Sequence, residues 1–168
     1  MRNGIATVLM GALTLLVAAS ALAQKPQKPN VDPWLGEWIL NLQKSTYQSP
    51  SPKSGVSTLL STATGIRMIQ DQVDAQGNRR VVSFSGAFDG KEYPVDDMPG
   101  TTYSLMRIDE RMYTIVARRD GVVTGTTLTV VSPDGQTRTS TSSGAAPDGR
   151  TVANVAVYDR RATTGSKP

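Results

Sequence analysis

The sequence predicts an all-β protein, an antiparallel up-and-down meander closed into a barrel of about eight to nine strands, and three observations carry that expectation. Turn dipeptides recur along the chain at Gly77-Asn78, Asp89-Gly90, Asp120-Gly121, Asp134-Gly135 and Asp148-Gly149, the last three at intervals of 14 residues. Gly, Asn and Asp tolerate the positive φ that tight hairpins demand, so each dipeptide signals a chain reversal. The segments between them alternate: "RRVVSFSGAF" places Arg80, Val82, Phe84, Gly86 and Phe88 on one face and Val81, Ser83, Ser85 and Ala87 on the other, which is the period-two signature of a strand. No segment carries a helical stripe. Stretches such as "TGTTLTVVS" and "QTRTSTSSG" favour extended backbone, because β-branched side chains are stiff at χ1 and fit a pleated surface.

In chain order, residues 1–23 read as an export signal, with Arg2 as the charged start, an apolar run from Ile5 and Ala21-Leu22-Ala23 as a small-x-small cleavage site. Lys25 and Lys28 beyond the run oppose a retained anchor whose N-terminus is cytoplasmic. Residues 24–33, "QKPQKPNVDP", are expected to form a Pro-rich flexible leader. The β-barrel domain is expected over 34–161, with strands near 37–42, 56–63, 65–74, 79–88, 102–109, 112–119, 122–131, 136–144 and 151–159. "KEYPVDDMPG", Lys91–Gly100, is the longest irregular stretch after the fourth strand, and 162–168 reads as a disordered tail. Closure alone removes exposed sheet edges, and a barrel of about eight strands is just wide enough inside for side chains or one small ligand. A two-sheet sandwich is the competing architecture.

Composition removes whole classes of chemistry. There is no cysteine, hence no disulfide, no thiol nucleophile and no acylated lipoprotein. There is no histidine either, which removes His-based triads, imidazole bases and the commonest zinc and haem ligands. Among paired acids, Asp96-Asp97 and Asp109-Glu110 adjoin turns, where Asp caps its own backbone, and Asp71 and Asp74 fall on opposite faces of one strand. No enzyme activity, metal or cofactor is therefore expected. The net charge of +4 is carried by scattered pairs (Arg79-Arg80, Arg118-Arg119, Arg160-Arg161) rather than by one face interleaved with aromatics, as a nucleic-acid partner requires. The expected location is secreted or periplasmic, with membrane contact only through the cleaved signal.

Both tryptophans lie in "WLGEWILNLQKS", Trp34–Ser45. Gly36-Glu37-Trp38 heads the first strand of a meander whose last strand ends in "NVAVYDRR", Asn154–Arg161. This pattern resembles the calycins, the superfamily of lipocalins and fatty-acid-binding proteins. The resemblance implies that Trp38 plugs one end of the barrel, that Gly36 lets the strand bend, and that Arg160 or Arg161 stacks on the indole, a contact worth roughly 0.5 to 2 kcal/mol. The chain is also similar to a group of bacterial exported lipocalin-like proteins with a W-x-x-N-x-x-K-S opening (Trp38, Asn41, Lys44, Ser45), a DGK-x-YP block (Asp89–Pro94) and an NVAVYD block (Asn154–Asp159).

A ligand would be lined by one face of the central strands. "MYTIVAR" offers two phases, Met112, Thr114, Val116 and Arg118, or Tyr113, Ile115, Ala117 and Arg119. The candidate ligand-binding set takes the first phase together with Phe84 and Tyr103. An inward Arg118 would hold an acidic head group by a charge-assisted pair. Tyr47, Tyr93 and Tyr158 are further candidates for polar work inside, and Met98 with its flanking prolines for the barrel mouth. With two Phe and two Trp, a large lipid cavity is undersupplied with aromatic lining, and a narrow, partly polar interior fits as well. The expected function is binding of a small hydrophobic or amphipathic molecule without a catalytic step. The competing expectation is a filled barrel that presents its loops to an envelope protein as an interaction or inhibitor module.

Overall fold

The computed structural model describes residues 32–145 and 149–162; the export signal, the leader as far as residue 31 and the tail from residue 163 lie outside them. β1 (Gly36–Leu40) leads through a 3₁₀ turn (Leu42–Lys44) to β2 (Thr46–Tyr47). Then follow β3 (Ser54–Thr62), β4 (Gly65–Val73), β5 (Arg79–Gly86), β6 (Asp89–Pro94), β7 (Thr101–Arg107), β8 (Met112–Arg119), β9 (Val122–Val131), β10 (Thr137–Ala145) and β11 (Thr151–Arg160). All pairings are antiparallel within one sheet, ordered β5-β4-β3-β1-β11-β10-β9-β8-β7-β6, with β2 alongside β11. One continuous sheet replaces the sandwich alternative, and its twist brings the two ends together. Phe84 bridges Val95, and the Asp96 N–H donates to the Ser83 carbonyl at 2.8 Å. On the outer surface, Asp96 accepts from Ser83 Oγ at 2.8 Å and lies 2.6 Å from Arg67 Nη2. The barrel is thus nearly closed, with a seam of a single β-bridge. Among the described residues no helix is long and apolar enough to cross a membrane.

Asp120-Gly121 behaves as its chemistry requires, with φ of 50° and 79° in a two-residue hairpin between β8 and β9. The Asp148-Gly149 reversal falls partly on residues 146–148, outside the described set. Asp89-Gly90 does not reverse the chain. The turn comes earlier, at Ala87-Phe88, and Asp89-Gly90 heads β6, where the register to β7 shifts between Asp89 and Glu92. "KEYP" of the expected irregular stretch is therefore strand. Its exposed charges and its proline are tolerated because β6 ends the hydrogen-bonded order of the sheet. With β6 and the two-residue β2, the strand count among the described residues rises to eleven.

β2 belongs to a strap. After Leu40 the chain leaves β3 and runs on beside β11, and the residues of the W-x-x-N-x-x-K-S and NVAVYD blocks lock it there. Asn41 Nδ2 and Lys44 Nζ both donate to Asp159, at 2.7 and 2.9 Å. Ser45 Oγ donates to the Asn41 carbonyl and accepts from the Val157 N–H. Asn154 Oδ1 accepts from the backbone of Gln48 at 2.9 Å. The two blocks are the halves of one fastening.

The core gathers at the end of the barrel where β1 begins. Trp34 and Trp38 are buried with Leu59, Phe84, Leu105 and Tyr113. Trp34 meets Phe88 at 4.9 Å and Tyr113 edge-on at 5.0 Å, and Trp38 Nε1 donates to the Trp34 carbonyl. Each indole carries a cation. Arg107 lies 4.2 Å from the Trp34 ring while pairing with Asp32 at 2.6 Å. Arg160 lies 4.1 Å from Trp38 and donates to the carbonyls of Gly135, Leu35 and Pro33. Arg161 instead pairs with Glu37. Gly36 has φ +111°, and a Cβ there would lie 3.0 Å from Arg160 Nη1, so this position needs glycine for both conformation and space. Asp32 and Pro33, read from sequence as leader, thus belong to the plug.

Candidate functional site: a hollow, cationic interior

Above the plug the inward positions change character. In β10 they are Arg138, Ser140 and Ser142. The ladders set Arg138 beside Tyr158 and Val131, Ser140 beside Ala156 and Thr129, and Ser142 beside Asn154 and Thr127. Cross-strand neighbours share a face, so these rows form a polar wall, with Thr129 and Ser140 hydroxyls 3.0 Å apart. The side chains are short, and space remains between this wall and β4. It forms a polar lobe of about 260 Å³ bounded by Arg138, Tyr158, Tyr113, Ser57 and Tyr47. A second, more apolar lobe of about 280 Å³ is bounded by Met68, Val82, Phe84, Tyr103, Ile115 and Ala117. Met68, Gln70, Gln72, Ile115 and Thr127 line both, so the two lobes adjoin.

Among the described residues Arg138 is the charged residue of this lining, and no Asp or Glu borders either lobe. Its residue is 3 % exposed, and its Nε and Nη1 are buried without a hydrogen-bond acceptor. The guanidinium lies 4.5 Å from the Tyr158 ring and 5.3 Å from Trp38, contacts that hold a cation without neutralising it. Ser57 Oγ, in the same lobe, is also buried without a partner.

Burial pushes the Tyr113 phenol up against the opposing pull of Arg138. Burial likewise raises Tyr103. Tyr47 is pushed up to about 12, by burial first and by the neighbouring Tyr158 second. The acids are engaged elsewhere: Asp71 with Arg79 at 2.6 Å, Asp74 in its own turn with Asn78, and Asp109 accepting from the Arg111 N–H. Among the described residues no group of three or more His, Cys, Asp or Glu side chains could hold a metal ion.

Of the sequence-predicted set, Phe84 and Tyr103 line the apolar lobe, with their rings edge-on at 5.2 Å. Met112, Thr114, Val116 and Arg118 do not; they take the outer face of β8. The reason is cross-strand register. Leu105, fully buried, pairs with Ile115, and Tyr103 pairs with Ala117, so the other phase of "MYTIVAR" faces inward. Arg118 donates to Ser104 Oγ at 3.1 Å and lies 3.5 Å from Glu92 on the outside. The predicted plug residues Gly36, Trp38 and Arg160 come together at the closed end. Arg138 escaped the sequence reading because Thr137 and Thr139 flank it and no apolar alternation marks its face. The available signal was parity: it lies an even number of residues from Ser140 and Ser142, on the smaller face of a strand next to the last.

No protein-family model matches this chain, and no curated protein aligns with it at a significant level. The class rests on geometry: an all-β, antiparallel, nearly closed barrel, compatible with a calycin-like fold, with one end plugged and the rest hollow.

Proposed function

We propose that this protein is an exported barrel, secreted or periplasmic, that binds a small amphipathic molecule in its interior without a catalytic step. The observation that carries this reading is the pair of adjoining lobes, one polar and one apolar. Small-molecule sites are concave, largely apolar and carry a few placed polar groups that set orientation. The competing role, a filled barrel whose loops dock on an envelope protein, requires side chains to occupy the space that Ser140, Ser142 and Ala156 leave open. An exported protein meets its cargo outside the cytoplasm, so the test begins there. Native mass spectrometry of the protein, purified from a periplasm without detergent, is compared with its denatured mass. An extra mass that persists in the native spectrum and disappears on denaturation is expected. A clean protein mass, unchanged after incubation with hydrophobic and amphipathic compounds, would reject the reading in favour of the docking module.

A further inference from the structure

We propose that the molecule taken by this barrel is a compact organic anion, its charged head against Arg138 and its apolar body in the lobe formed by Met68, Phe84, Tyr103 and Ile115. This rests on the ligand-binding reading above and names its ligand class.

The argument is one of unmatched charge. A buried guanidinium without an anion is expensive, because the charge is removed from water with nothing in exchange. The arginines of the plug are provided for: Arg107 by Asp32, Arg161 by Glu37, and Arg160 by three carbonyls. Among the described residues, Arg138 has two buried donors with no acceptor and faces a lobe bordered by no carboxylate. A neutral polar head would satisfy the donors and leave the charge uncompensated; an anion does both. Arg160, on Trp38 like Arg138, adds a second positive charge nearby, and burial with the Arg138 charge pulls its own guanidinium pKa down. Ser57 Oγ, also unpartnered, and the Tyr158 hydroxyl, which accepts from Gln70 Nε2, border the same lobe and can donate to an anionic head. Size follows from the two lobes: with about 260 and 280 Å³, the interior suits a ring system or short chain.

Isothermal titration with 2-naphthoate and with its uncharged methyl ester separates charge from shape. The acid is expected to bind at least about tenfold more tightly than the ester at neutral pH. Arg138→Met should bring the two to within about twofold of each other, the acid losing more affinity than the ester because it loses a charge pair as well as hydrogen bonds. Arg138→Gln, which keeps the donors and removes the charge, carries the same test if methionine is not tolerated in the fold. Equal binding of acid and ester by the unaltered protein, or a preference for the acid that survives both substitutions, would overturn the proposal and leave the ligand-binding reading standing. Failure of both compounds to bind at any concentration up to their solubility would count against that reading and this inference together.

Discussion

At the end of the barrel where β1 begins, large side chains meet large side chains and each cation has a counterpart. Half a barrel away, the same strands turn to Ser140, Ser142, Thr127, Asn154 and Gln70, and leave space. Both regions use an arginine on an aromatic ring. Arg160 over Trp38 is held by three carbonyls and reads as structure; Arg138 over Tyr158 is held by none and faces a cavity. The difference teaches that the same contact has two meanings, decided by whether the cation's remaining hydrogen-bonding capacity is used. On the proposed ligand-binding function, stability and binding should be separable along the barrel axis, and substitutions can test that separation.

The largest effect is expected at the plug. Trp38→Ala should destabilise by about 3 to 5 kcal/mol in denaturant titrations, because a fully buried ring leaves a cavity its neighbours cannot fill; a near-neutral result would remove Trp38 from the plug. Arg160→Met should lose about 2 kcal/mol, through three unmet carbonyls and the lost stacking. In the hollow half the sign should reverse. Arg138→Met is expected to gain about 1 kcal/mol in the unliganded protein, since relief of an uncompensated buried charge exceeds the weak ring contacts. A clear loss there would mean that Arg138 is part of the plug.

Tyr47 supplies a pH test of the strap. Its folded pKa of about 12 stands above the ordinary value of 10.0, so above pH 10 the folded state holds a proton that the unfolded state releases. The contribution of Tyr47 to stability is therefore constant below pH 10 and falls from there towards pH 12, and Tyr47→Phe should flatten part of that fall in midpoints measured across the range. The smallest effect is expected outside the barrel. Arg118→Ala should change stability by no more than about 0.5 kcal/mol and leave ligand affinity unchanged, because its partners are Ser104 and Glu92 on the outer face. Weakened ligand binding in that variant would show that β8 presents its other phase in solution.

Much of the barrel is determined by sequence alone. Turn chemistry at Asp120-Gly121 and Asp134-Gly135 and the alternation of "RRVVSFSGAF" are local facts, because positive φ and side-chain direction depend on a residue and its near neighbours. The resemblance to calycins implied a plug of Trp38 and Gly36 with Arg160 or Arg161, and the structure stacks Arg160 on the indole. The phase of β8 was not legible in the sequence. Both faces of "MYTIVAR" are similarly apolar, and only its pairing with β7, where Leu105 needs burial, chooses between them. Nor was the inward turn of Arg138, which follows from its register between Val131 and Tyr158. β2 and β6 were hidden for the same reason. A two-residue strand and a charged, proline-ended one have little intrinsic preference, and they become strands because an open ladder edge lies within reach. Register is a non-local quantity: it is set when distant strands pair, and here it decides which arginine faces the interior.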